Sequence, residues 1–145
     1  MRLHHRAELP AQVDHLWQRL LDVETVAACF PGARATWAPD RRSFTGTVTV
    51  GLGPVAVGYA GEGRYLLVDD ERHEVTLTAR GRPARRRGDV TMTVRAVLRP
   101  RGADRTDLAL TTELDLAGAG LSLAQPAAER IAAPLVHRFL RRLAS

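Results

Sequence analysis

Five histidines, one cysteine and two tyrosines are the side chains here best suited to proton transfer, nucleophilic attack or metal ligation. Their spacing decides what chemistry is open to the chain. The histidines are His4, His5, His15, His73 and His137. No pair sits four apart on a helix, and Cys29 has no second thiol, so the spacing of a metal site is missing. Cys29 also lies at an apolar helix end, which makes it weak evidence for a nucleophile. No Gly-x-Ser-x-Gly elbow occurs, and "GLGPVAVG" (Gly51–Gly58) lacks the lysine and following helix of a phosphate-cradling loop. All 21 basic residues are arginine, which excludes lysine-based covalent catalysis. No cofactor is implied. What remains is the chemistry of binding: an apolar, aromatic set of side chains with the hydroxyls of Tyr59 and Tyr65 among them.

The elements that must position this set can be read from the periods of the sequence. Arg2 to Leu9 alternates as a strand, and Pro10 suits the first turn of a helix. Val13, Leu16, Trp17, Leu20 and Leu21 then recur as one helical stripe. Asp22 can cap a second short helix, which Pro31 and Gly32 end. From Arg34 to Ala117 the period is two. Phe44, Val48, Val50 and Leu52 oppose Thr45, Thr47 and Thr49, while Val90, Met92, Val94 and Ala96 oppose Thr91, Thr93 and Arg95. One apolar and one polar face is the mark of an antiparallel sheet covered on one side. The uncharged run Ser43–Gly61 alternates threonine with valine and is rich in glycine, so it is a hairpin and not a membrane span.

After Gly120 the helical period returns. Ala128, Ile131, Ala132, Leu135, Phe139 and Leu143 form an apolar stripe opposite Arg130, His137, Arg138 and Arg141. Pro134 lies inside this helix and should bend it, convex to solvent. The expectation is one α+β domain over residues 1–145. A strongly curved antiparallel sheet of about seven strands wraps a long C-terminal helix, with two short helices after the first strand. That is the helix-grip order, whose hallmark is a ligand cavity.

Three stretches, "LPAQVDHLWQRLLDVETVAACFPGA" (Leu9–Ala33), "GTVTVGLGPVAVGYAGEG" (Gly46–Gly63) and, more loosely, "TTELDLAGAGLSLAQP" (Thr111–Pro126), resemble the CoxG family of carbon monoxide dehydrogenase subunits. This family belongs to the START-like, birch-allergen type SRPBCC superfamily. The resemblance implies a non-catalytic accessory protein of molybdenum hydroxylases of the carbon monoxide dehydrogenase type, which helps to place the enzyme at the membrane or brings it a lipid-like quinone. The other reading of the same fold is an enzyme, a polyketide cyclase or aromatase, which would need an inward acid or base.

These patterns also nominate a site. The inward residues Trp17, Phe44, Tyr59, Tyr65, Met92, Leu135 and Phe139 are either ordinary core or the lining of a hydrophobic cavity. Phe30, in Phe30-Pro31-Gly32, is either a core residue at a helix stop or the rim of that cavity, facing Phe139 across an opening. The run "RGRPARRRGD" places Arg82, Arg85, Arg86 and Arg87 on a hairpin tip. It is either a solvated tip or a docking patch for an acidic protein or anionic lipid. It lacks the interleaved aromatics of a nucleic-acid surface. The net charge of +5 permits the same acidic partners. The N-terminus has no apolar signal segment, and one cysteine excludes an internal disulfide, so the expected compartment is the cytoplasm, with peripheral contact at the inner face of the membrane.

Overall fold

The computed structural model describes residues 1–52, 54–84, 88–116 and 124–145. The strand β1 (Arg2–Leu9) is followed by helices α1 (Val13–Leu20) and α2 (Val23–Cys29). Six strands come next: β2 (Ala33–Trp37), β3 (Ser43–Leu52), β4 (Val55–Asp69), β5 (Glu74–Pro83), β6 (Val90–Pro100) and β7 (Thr106–Asp115). Helix α3 (Gln125–Ala144) closes the chain's order. The sheet is antiparallel throughout, in the order β1-β7-β6-β5-β4-β3-β2. This is the α+β helix-grip architecture expected from the periods of the sequence, with a curved seven-stranded sheet.

Hairpins account for the strand order, because each of β2 to β7 pairs with its sequence neighbour. Only β1 is brought in from far away, against β7, with Leu3 opposite Thr112 and Leu9 opposite Thr106. The pleat sends alternate residues to the helix side. On β1 these are Leu3, His5, Ala7 and Leu9; on β7 they are Thr106, Leu108, Leu110, Thr112 and Leu114. On β3 and β4 the register puts Phe44 beside Gly63 and Val48 beside Tyr59 on that same concave side.

Glycine makes the bend possible. A Cβ on Gly61 would lie 1.8 Å from the Arg80 carbonyl oxygen, and one on Gly63 would meet both the Thr78 carbonyl and the Phe44 ring. Neither position has space for a side chain, so β4 passes close to β5 and lets Phe44 lie down on the strand.

The core gathers Leu16, Trp17 and Leu20 of α1, Leu98, Leu108 and Leu110 of the sheet, and Phe139, Leu140 and Leu143 of α3. The helix α3 runs unbroken through Pro134, whose side chain is exposed as its place on the polar stripe requires. It rests on β1, α1 and α2. Its C-terminal end is met by Arg19, whose Nη2 donates to the Arg142 carbonyl at 3.1 Å. Each outer strand is hydrogen-bonded to a helix. The Gln125 amide of α3 donates to the Arg2 carbonyl of β1 at 2.6 Å, and the Trp37 backbone N–H of β2 donates to Glu24 of α2 at 3.1 Å.

Candidate functional site

Asp22 organises the side of the molecule where the short helices meet β2. It caps α2 by accepting from the Glu24 N–H at 3.2 Å, and it also accepts from Thr25 Oγ1 at 2.8 Å and Trp37 Nε1 at 2.9 Å. Burial alone would raise the Asp22 carboxyl, but these donors outweigh it and hold the group below the ordinary aspartate range. With its indole tied down, Trp37 stands against Tyr65 (ring centroids 5.3 Å) and Phe44 (6.3 Å). Phe44 and Tyr65 meet edge to face at 6.2 Å. Arg41, in the left-handed region at φ 54, lays its guanidinium 5.8 Å from the Trp37 ring.

Of the aromatic residues expected inside, the structure therefore brings Phe44 and Tyr65 together and adds Trp37, which sequence reasoning passed over. Its signal was present: Trp37 shares the concave parity with Ala33 and Ala35. Tyr65 does not keep a free donor. Its hydroxyl donates to the Leu20 carbonyl at 2.7 Å, and burial followed by the Asp22 charge pushes its pKa well above the usual tyrosine value. The expectation that both tyrosine hydroxyls are available to a ligand oxygen is thus corrected for Tyr65, whose proton is committed. Tyr59 is half-buried and makes no hydrogen bond from its side chain among the described residues.

Trp17 lies elsewhere in the core. It is only 3% exposed, donates its indole N–H to Asp70 at 2.9 Å, and meets His73 edge-on at 5.3 Å. It locks α1 to the β4–β5 turn. Phe30, at the C-terminal cap of α2, and Phe139 of α3 are in ring contact at 6.2 Å. The two rings expected to flank an opening thus lie against each other, with Phe139 buried and Phe30 half-buried. Gly32, at φ +79, lets the chain leave the helix; a Cβ there would lie 2.6 Å from the Thr49 carbonyl.

Met92 and Leu135 are half-buried. Met92 reaches an open depression of about 430 Å³ bordered by Met1, Arg2, Glu113 and Leu114. A second depression, about 530 Å³, lies on the outside of the helices at Arg19, Asp22, Cys29 and Arg142. There the buried Cys29 thiol is 3.4 Å from Arg19 Nη2. Among the described residues no cluster of three histidine, cysteine or acidic side chains could hold a metal ion.

On the β5–β6 hairpin Arg82 and Arg80 share Asp89, at 3.0 and 3.5 Å, so part of the charge there is compensated. Arg85, Arg86 and Arg87 lie outside the described residues. No helix among the described residues is long and apolar enough to cross a membrane.

One candidate was missed altogether. His5 shares the concave parity of β1 with Leu3, Ala7 and Leu9, and its Nδ1 is buried without a hydrogen-bond partner among the described residues. Counting parity between the two leucines would have found it; a search for metal spacing could not.

Solved structures with this fold span nearly the whole chain. A conserved protein from Geobacillus kaustophilus superposes with a TM-score of 0.83 at 17% identity, covering 99% of this chain and 93% of the other. A START superfamily protein from Mycobacterium smegmatis gives 0.71 at 12% identity over 99% and 94%. The Zhui aromatase/cyclase from Streptomyces sp. R1128 gives 0.64 at 18% identity over 99% and 91%. At these identities the likeness is one of fold. No curated protein matches the chain in sequence. The model of one family, the CoxG subunits of carbon monoxide dehydrogenase, matches residues 6–145.

Proposed function

Since the chain belongs to the CoxG family of carbon monoxide dehydrogenase subunits, we propose that it is a non-catalytic accessory protein. It holds a hydrophobic, lipid-like molecule such as a quinone against the concave face of its sheet, and serves a carbon monoxide dehydrogenase-type molybdenum hydroxylase. The observation that carries this reading is the state of that face. α3 rests on β1, α1 and α2, while the concave side chains Val57, Tyr59, Val90, Met92 and Val94 further along the sheet are only half-buried. Apolar surface left uncovered beneath a helix is the raw material of a lipophilic site. In this reading Tyr59, Met92 and Leu135 line the ligand, and Phe44 and Tyr65 close one side. Trp17 and Phe139 back the site from the core, and Phe30 borders its mouth. The arginine hairpin (Arg82, Arg85, Arg86 and Arg87) docks an acidic partner or anionic membrane surface.

A second reading, an enzyme of the aromatase/cyclase kind, is favoured by the fold shared with the Zhui protein. Fold alone does not carry an activity. Proton transfer needs an inward group, and the concave positions of the described strands offer one imidazole, His5, whose pKa burial lowers. Native mass spectrometry of the purified protein, followed by solvent extraction, separates the two. The accessory reading expects a retained apolar molecule and no conversion of polyketide or ester substrates. Catalytic turnover, lost when an inward polar side chain is replaced, would overturn it.

A further inference from the structure

Resting on the reading of a lipophilic site on the concave face, we propose that His5 is its polar anchor: Nδ1 hydrogen-bonds an oxygen of a carbonyl-bearing apolar ligand held between the sheet and α3. The placement comes from the pleat. Leu3 and Leu9 are buried on the helix side of β1, so His5, in phase with both, turns the same way, beside the buried Leu110 of β7. His4, one residue earlier, points to the opposite face and has its own neighbour, Thr111 Oγ1 at 3.3 Å from Nδ1. His5 Nδ1 has none among the described residues, yet it is shut off from solvent.

A buried polar atom without a partner is costly, and native proteins keep one where something else satisfies it. The surroundings narrow what that is. On the strands its neighbours are Ala7, Leu110 and Thr112, apolar apart from one threonine, and from α3 the charge of Glu129 acts on the ring. A wholly hydrocarbon ligand would leave Nδ1 unsatisfied. Burial keeps the ring neutral, against the pull of Glu129 and with a small push from His4. A neutral imidazole nitrogen donates or accepts according to tautomer. The same atom therefore donates to a quinone carbonyl and accepts from the hydroxyl of the reduced form. The ligand class that fits is an apolar ring or chain with oxygen at one end, in either redox state.

The test compares two probes of equal shape by calorimetry: 2,3-dimethyl-1,4-naphthoquinone and 2,3-dimethylnaphthalene. The methyl groups block addition of the Cys29 thiol to the quinone ring. Wild type should bind the quinone about three- to tenfold tighter than the hydrocarbon. H5L should erase that preference while leaving hydrocarbon affinity within about twofold, and H5N, which restores a polar atom near the Nδ1 position, should recover part of it. The melting temperature of ligand-free H5L should be equal to or above that of wild type, because an unsatisfied polar atom has been removed; this also shows the variant is folded. If both probes bind but the preference survives in H5L, or wild type has no preference, His5 is not the anchor and the lipophilic site stands. If neither probe binds wild type, the site itself fails and the anchor with it.

Discussion

Asp22 shows how much one carboxylate can be asked to hold: a helix cap, a threonine hydroxyl and the indole of Trp37. Its folded pKa lies below the unfolded value, so its stabilisation is complete above the unfolded pKa near 4 and fades as pH falls through the folded one. Asp22→Asn keeps the cap but cannot titrate. The variant's melting temperature should therefore drop less than that of wild type between about pH 5 and pH 2; equal drops would mean that other carboxylates govern acid unfolding. The two phenylalanines divide more simply. Phe139→Ala empties a core position and should cost about 3–5 kcal/mol in denaturant unfolding. Phe30→Ala, half-buried, should cost distinctly less, about 1–3 kcal/mol. At this scale the sequence was only partly legible. The parity of Tyr65 and Phe44 could be counted, but that Tyr65 donates to Leu20, or that Trp37 reaches Asp22, depends on how α1 and α2 dock, which no local pattern encodes.

Elements were far more legible, because period and turn chemistry act over a few residues. The hairpin glycines, the Asp22 cap and the apolar stripe of α3 each name their own boundaries. The exception is in β4. "YLLV" (Tyr65–Val68) is an unbroken apolar run, yet the register with β5 slips between Tyr65 and Leu67, and Leu66, Leu67 and Val68 are exposed. A bulge adds one residue to a strand and re-aims the side chains beyond it, and nothing in an unbroken apolar run marks where it falls. The close approach of β4 to β5 is testable. Gly61→Ala drives a methyl into the Arg80 carbonyl, where backbone and not a flexible side chain must move. It should cost about 1–3 kcal/mol, against a few tenths or a gain for Gly51→Ala, which meets nothing. Equal effects at the two sites would show that β4 relaxes freely and that the tight contact is not what bends the sheet.

Over the whole molecule, arginine takes the place of lysine as the basic residue, and many guanidinium groups are paired: Arg95 and Arg99 with Glu74, Arg101 with Asp107, Arg105 with Glu8. The proposed docking hairpin should therefore act as a local patch and not through overall charge. Replacing Arg85, Arg86 and Arg87 by Ser should weaken binding to anionic vesicles or to the partner enzyme about tenfold at low ionic strength, with the difference shrinking as salt is raised. Affinity for 2,3-dimethyl-1,4-naphthoquinone should not change. Vesicle and enzyme binding that stay unaltered at low salt would leave the tip merely solvated. The hydrogen bond from α3 to the sheet's margin has a further consequence, for traffic. An open sheet is a template for fibre growth wherever a margin lies bare. Here Gln125 of α3 occupies the Arg2 carbonyl on the margin of β1. Lifting that end of α3 would free this carbonyl for pairing with another chain. In the proposed carrier role, loading that keeps the Gln125 end in place would leave the β1 margin protected from self-assembly.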